Sequence, residues 1–357
     1  MKKKTKLIII SLTPIILILN SILKQYPEFI EKYYSNLLNR WTRQMQNFIV
    51  SFFPFSIAEI LYFSLVIVLL IFIVMLCVKI KKGGALIQLL NILTYLSLLY
   101  VLFMFLWGFN YNRLSFDKIA KLKIERSTED QLKGLCKELI ARANTIREKV
   151  NVSPKGIMVE NRGYKNVFKR ALMGYERAEL IFPELGGRYS RPKPIFLSEA
   201  MCYTGITGMY MPYTGEANVN VGVQDFMLPS TATHEMAHQR GFAREDEANY
   251  IAYITCSLNP DVDFQYSGVM LALIHSMNAL ADKDIVTYRA MQKQYSEGVK
   301  KDIEADNEFW KRYSGKVEKL SNDVNNSYLK SNGQNDGTKS YGRMVDLLLA
   351  QYKKGEL

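Results

Sequence analysis

The string HEMAH, His234 to His238, holds two of the three histidines in a chain of 357 residues. Residues four apart on a helix share a face, so both imidazoles can reach one ion. Glu235, one step round, faces the water that such an ion would activate. The chemistry this suits is metal-assisted hydrolysis, in which the carboxylate takes a proton from water whose pKa the metal lowers and passes it to a leaving amine. Zinc is the ion expected for two histidines and a carboxylate. The bland alternative is a pair of helix histidines with no ligand.

A straight helix would carry the downstream glutamates roughly 10 Å past His238 along its axis, so the chain must turn back. Gly241, three residues after His238, is the natural breaking point, because glycine accepts the left-handed conformation that ends helices. A second helix beginning near Arg244 then presents Glu245 as third ligand, with Glu247 the alternative if the turn closes differently. Asn249, four residues beyond Glu245, shares its face and can hydrogen-bond a ligand histidine. Arg244 stands where a metzincin has its third histidine, which excludes that subclass.

The elements that must carry these residues are legible in the pattern. Helices are expected over Thr128–Val150, capped by Ser127 or Thr128, and then over Ser230–Gln239, Arg244–Leu258, Ser267–Ala281, Ile285–Tyr313 and Ser340–Tyr352. Between Pro154 and Pro229 lies a mixed region with short β-like runs such as GIMVE and PIFLS. The polar, Gly-containing NNSYLKSNGQNDGTKS reads as a loop or flexible connector.

Ahead of this domain, Leu7–Leu23, Ile57–Val78 and Leu86–Trp107 are each apolar enough to span a bilayer. The first lacks a small-x-small cleavage pattern after it and is expected to stay as an anchor. Lys2, Lys3, Lys4 and Lys6 precede the first span, and Lys79, Lys81 and Lys82 join the second to the third, so both flanks are expected in the cytoplasm and everything after Trp107 outside it. In the 24–56 loop, FIEKYYSNLLNRWTRQMQNFI reads as an amphipathic helix at the outer surface, anchored by Trp41 and the tyrosines. WGFNYNR, at Trp107–Arg113, has the composition of a further interfacial anchor. Residues 1–107 carry 11 Lys or Arg against 3 Asp or Glu, and residues 108–357 carry 35 against 31. The basic excess thus sits beside the membrane and argues against a nucleic-acid partner. Four cysteines without CxxC spacing signal no thiolate metal site.

The stretch Gly205 to Tyr253, WGFNYNR, the three-span layout, and the terminal YLKSNGQNDG with SYGRMVDLLLA resemble the bacterial membrane family known as domain of unknown function 3810. The resemblance covers nearly the whole chain and implies a zincin-like metallopeptidase domain. More distantly, EDEAN is similar to the ExxA(D/N) helix of gluzincin peptidases, whose first glutamate binds zinc; that maps onto Glu245, with Asn249 where many members have Asp. The gap after His238 is shorter than gluzincins usually show. The expected architecture is a three-span α-helical membrane anchor, residues 1–107, followed by a mainly helical α+β zincin-like domain, residues 108–357, that cuts peptide or protein substrates.

Supporting residues follow from that reading. Ala217–Val223 alternates with Val219, Val221 and Val223 on one face and Asn218 and Asn220 on the other. This strand is either an edge to which a substrate adds, with Asn218, Asn220 and Tyr213 as contacts, or an ordinary interior strand. The oxyanion formed on the attacked carbonyl needs a donor. His275, in the apolar GVMLALIHSMNAL, is one candidate, packing in the core is its other reading, and Tyr210, Tyr213 and Tyr253 compete. The rival functions are a membrane sensor or assembly protein with structural zinc, and a zinc hydrolase of a non-peptide envelope bond.

Overall fold

Three helices are long and apolar enough to cross a membrane: Lys3–Leu23, Ile57–Lys82 and Ala85–Leu106. In the computed structural model, which describes residues 1–355, only 6, 0 and 17% of their apolar windows are buried by the rest of the protein. Helices apolar on every side and uncovered by protein have lipid as their natural solvent, which marks a membrane protein. The second helix continues past Val78 through Lys79, Lys81 and Lys82, since lysine is a good helix former, and stops at Gly83. The third stops at Leu106, one residue short of expectation, because Trp107 leaves the helix at φ −150° and the chain winds on as a 3-10 turn, Gly108–Asn112.

The segment between the first two apolar helices is amphipathic with its faces exchanged relative to a soluble helix. A π-helix, Ile30–Leu38, runs into an α-helix, Asn39–Val50. Glu31, Ser35, Asn39, Arg43 and Asn47 recur every fourth residue and are all buried against the protein, while Leu38, Trp41, Met45, Phe48 and Phe52 are exposed. A step of four residues over-rotates an α-helix and under-rotates the wider π-helix. The two drifts offset one another and keep the polar stripe on one side. That stripe is bonded into the domain: Asn47 Oδ1 accepts from Ser190 N–H at 3.0 Å and Gln239 Nε2 at 2.8 Å, and Arg43 Nη2 donates to the Arg240 carbonyl at 3.1 Å. The apolar face is left outward, as an interfacial helix requires.

The domain is mainly helical. Glu129–Arg147 and Val262–Lys283 pack along each other, and Gly163–Ala178 and Glu245–Leu258 complete a core centred on residues such as Leu135, Leu139, Phe264, Val269 and Leu273. Thr128 is the cap: its Oγ1 accepts Gln131 N–H at 3.2 Å, and Gln131 Oε1 accepts Thr128 N–H at 2.9 Å. The expected single helix Ile285–Tyr313 is instead two, Ile285–Gln292 and Glu297–Tyr313. Ser296 caps the second through Val299 N–H, and its own N–H is taken by Asn144 Oδ1 at 2.8 Å, a tertiary partner that periodicity does not report.

A small sheet stands beside the helices in the order β1-β3-β2: Lys193–Pro194, Glu216–Val219 and Gly208–Met211. β3 is the central strand, parallel to β1 and antiparallel to β2, with Gly208 opposite Val219 and Met211 opposite Glu216. β3 is therefore the interior strand of the two alternatives, and β2 is an edge. Glu216 accepts from Ile57 N–H at 3.2 Å and Ala58 N–H at 2.6 Å, and Ser56 donates to Asn218 Oδ1 at 2.6 Å. These acceptors satisfy the free amides at the start of the second apolar helix and fix the sheet to it.

Candidate metal centre

His234 and His238 project from the helix Leu228–Gln239, whose end is set by Gly241. Gly241 has φ +83°, its N–H donates to the His238 carbonyl at 2.8 Å, and Phe242 N–H returns to the Ala237 carbonyl at 3.2 Å. The chain reverses within five residues and starts the helix Glu245–Leu258 with its first residue facing back. Gln334 Oε1 accepts Glu245 N–H at 3.2 Å, giving that helix start a partner from far along the chain.

The three side chains converge. His234 Nε2 and His238 Nε2 are 3.0 Å apart, and Glu245 Oε2 is 3.2 and 3.5 Å from them. Ligand atoms bonded to one tetrahedral zinc at about 2.0–2.1 Å stand about 3.3 Å from one another, so this triangle has the right size. Tautomers sharpen the point. His238 Nδ1 donates to the Phe242 carbonyl at 2.6 Å, and His234 Nδ1 is 2.7 Å from Asn249 Oδ1, whose orientation is set by Asn249 Nδ2 donating to the Tyr341 carbonyl at 3.2 Å. With an acceptor on each Nδ1, both Nε2 atoms are left to face each other and a carboxylate, an arrangement that an added positive charge stabilises. The electrostatics agree. Burial disfavours a charged His238, yet the Glu245 carboxylate beside it outweighs that and raises the imidazole to about 9. Burial likewise opposes ionised Glu245, and His238 with the hydrogen bonds from both imidazoles holds it down at about 2. Among the described residues no other His, Cys, Asp or Glu completes a fourth ligand.

Glu235 is 4% exposed, and its Oε2 has no hydrogen-bond partner. Burial raises its carboxyl to about 7, partly offset by the two histidines. β2 lies directly over it: a Cβ on Gly208 would collide with the Glu235 carboxylate, so only glycine lets the strand pass this close. Glu247 is spent elsewhere, accepting Phe116 N–H at 2.9 Å and Arg244 Nη1 at 3.0 Å.

Four of the sequence-derived candidates are not brought to the ligand atoms. Asn218 is tied to Ser56 and to the Met209 carbonyl, at 3.1 Å, in the central strand. Asn220 organises its own loop, donating to the Ile206 carbonyl at 3.2 Å and accepting Gly222 N–H at 2.9 Å. Tyr213 sits past the end of β2, where its hydroxyl donates to the Leu99 carbonyl of the third apolar helix at 3.0 Å. His275 reaches the centre only through Asn249, whose Nδ2 is 3.5 Å from its Nε2, and burial pushes it down to about 4, so it stands there as a neutral acceptor. Of the competing tyrosines, Tyr253 accepts from Arg142 at 3.0 Å, whereas Tyr210, on β2, lies 6.5 Å from the His238 ring with its hydroxyl unpartnered.

Two runs read as bland turn out to build the surroundings. WGFNYNR is buried rather than interfacial. Trp107 packs at a tilt against Tyr210 with ring centroids 4.4 Å apart and meets the His238 ring edge-on at 5.9 Å, and Tyr111 Oη bonds Tyr328 Oη at 3.1 Å. The polar stretch 325–340 is no connector: it completes the helix Lys316–Ser331 and enters a 3-10 segment, Gly337–Arg343, that brings Tyr341 to Glu245. Burial, with the negative charge of Glu245 adding to it, raises the hydroxyl pKa of Tyr111, Tyr328 and Tyr341. Three protonated hydroxyls thus surround the carboxylate side of the centre.

Arg113 stiffens the turn that orients His238. Its Nε and Nη2 donate to Glu31 at 2.9 and 2.6 Å, its Nη1 donates to the Arg240 carbonyl at 3.3 Å, and its guanidinium lies 3.8 Å over the Phe242 ring. Replacing it with Ala leaves Glu31 unpaired in the interior. The expected result is a fall of about 3–5 kcal/mol in stability and a loss of about 10–100-fold in metal affinity, read by melting and metal titration of the detergent-purified chain. An unchanged melting temperature would refute it.

No curated protein and no solved structure matches the chain. The model of the family described as "Protein of unknown function (DUF3810)" matches residues 34–349, a range that takes in most of the inverted amphipathic segment, Trp107–Arg113, the converging histidines and Glu245, and the segment that closes over them, so the chain belongs to that family.

Proposed function

We propose that the protein is a membrane-anchored zinc metallopeptidase. The observation that carries this reading is the pair of Nε2 atoms 3.0 Å apart and facing Glu245, beside a buried carboxylate oxygen with no partner on Glu235. His234, His238 and Glu245 would hold a zinc ion, which would supply Lewis acidity toward a water and a carbonyl. Glu235 Oε2 takes the proton of the attacking water and returns it to the departing amine, so hydroxide ends on the acyl carbon and the proton on nitrogen. β2, as an edge strand against Glu235, offers unpaired backbone to an extended peptide. Tyr210, Tyr111, Tyr328 and Tyr341 are the hydroxyls available to the oxyanion.

Three ligands with no fourth among the described residues support an open, catalytic position over a closed structural one. The short basic flanks support an N-terminus and residues 79–82 in the cytoplasm, with the metal domain outside it. The test is the full-length chain in lipid nanodiscs: one zinc per chain, lost in His234→Ala, with zinc-dependent cleavage of a peptide library. Zinc bound without cleavage would favour the structural reading, and a chain that binds no metal ends the proposal.

A further inference from the structure

β2, the helix Lys316–Ser331 and the third apolar helix meet on one side of the metal ligands, and what they share is a route to lipid. β2 begins at Gly208 against Glu235 and ends at Met211, after which a tight turn delivers Tyr213 to the Leu99 carbonyl at 3.0 Å. Leu99 lies seven residues before Leu106, roughly 10 Å down the helix axis. Gln46 holds the same turn, donating to the carbonyls of Pro212 and Tyr213 at 3.0 Å each. The edge strand therefore runs from Glu235 toward the third apolar helix, which the Tyr213 side chain just past its end reaches.

The helix Lys316–Ser331 borders the same approach. Its start lies by Gly205, where a Cβ would touch Glu318 Cγ at 3.4 Å, and its end meets the third apolar helix, with the Tyr328 ring 6.4 Å from Phe103. Val317, Leu320, Val324 and Tyr328 form one stripe, 40–66% exposed. Tyr328, bonded to Tyr111, turns that stripe toward the metal side. A soluble helix buries such a stripe; this one is left exposed, with its Tyr328 end against the third apolar helix.

Resting on the peptidase reading, we infer that the substrate is a polypeptide tethered to the same bilayer and cut just outside it. The chain enters from the membrane side along the outer edge of β2, its apolar flank against the 317–328 stripe. At about 3.3 Å per extended residue, a strand paired along β2 places the hydrolysed bond within about ten residues of the lipid.

The test uses the zinc-loaded full-length chain in liposomes and one randomised peptide library in three forms: beside a membrane-spanning tether, at the far end of a long Gly/Ser linker on that tether, and free in solution. The distal form keeps the surface concentration and removes the proximity, so cleavage of the proximal form is expected to exceed both others by about tenfold or more. The double variant Leu320→Asp, Val324→Asp is expected to cut proximal cleavage by about tenfold, with zinc content unchanged. Equal cleavage of all three forms, or proximal cleavage indifferent to the double variant, overturns the inference and leaves the peptidase intact. No cleavage of any form, with Glu235→Gln indistinguishable from wild type, overturns the peptidase reading and this inference with it.

Discussion

Glu235→Gln in the full-length chain is expected to keep its zinc and lose about 10²–10⁴ of its turnover. The amide is isosteric, and Glu235 is not among the three converging ligand atoms, so the His234, His238 and Glu245 triangle should survive the change. What disappears is the proton acceptor. Its placement explains the size of the effect: the carboxylate is walled in by β2 at Gly208, and its Oε2 has no protein partner competing for a proton. Turnover at the wild-type rate would remove Glu235 from the reaction. Loss of zinc together with activity would assign it to holding the centre together. Metal content and library cleavage measured on the same preparations separate these results.

The ligand helix was legible because its logic is local. Two histidines at a four-residue spacing, a glycine at the turn and a glutamate opening the next helix are all within twelve residues, and periodicity plus glycine stereochemistry suffice to fold them back. The sheet was half legible. Alternation found the strand that runs Glu216–Val219 but carried it four residues too far, to Val223, and it could not say which strands flank it, which decided the fate of Asn218, which serves the start of the second apolar helix instead of a cleft. Composition misread the runs whose partners are distant. Trp107–Arg113 follows an apolar helix and is rich in aromatics, so it reads as an interfacial anchor; only tertiary contacts, Trp107 with His238 and Arg113 with Glu31, reveal its place. Residues 325–340 are polar and carry two glycines, so they read as a connector. Gln334 and Tyr341 nonetheless reach Glu245 and Asn249, contacts some ninety residues away in sequence. The one signal that touched both runs was the family resemblance, which singled them out without giving a role. The stripe Glu31, Ser35, Asn39, Arg43, Asn47 was visible as amphipathicity, but its inward direction was not, because a polar face buried against protein and a polar face in water have the same pattern.

Glu245→Ala and Glu247→Ala are expected to fail in opposite ways, and the pair decides which carboxylate serves the metal. Glu245 Oε2 stands 3.2 and 3.5 Å from the two imidazole nitrogens, so its removal leaves two neutral ligands and no compensating charge. Since partners one bond further out already govern about 10–100-fold in metal affinity, losing the ligand itself is expected to cost at least the upper end of that range. Glu247→Ala is expected to keep the zinc and lose stability. Its Oε1 satisfies Phe116 N–H and Arg244, and truncation leaves that buried amide without a partner, costing about 1–3 kcal/mol. Titration with zinc reads the first effect, and melting in excess chelator, which removes the metal's own contribution to stability, reads the second. If Glu247→Ala lost the metal and Glu245→Ala kept it, the turn after Gly241 would close one residue pair later than the structure places it, and Gln334, which takes Glu245 N–H, would have to yield its bond for that to happen.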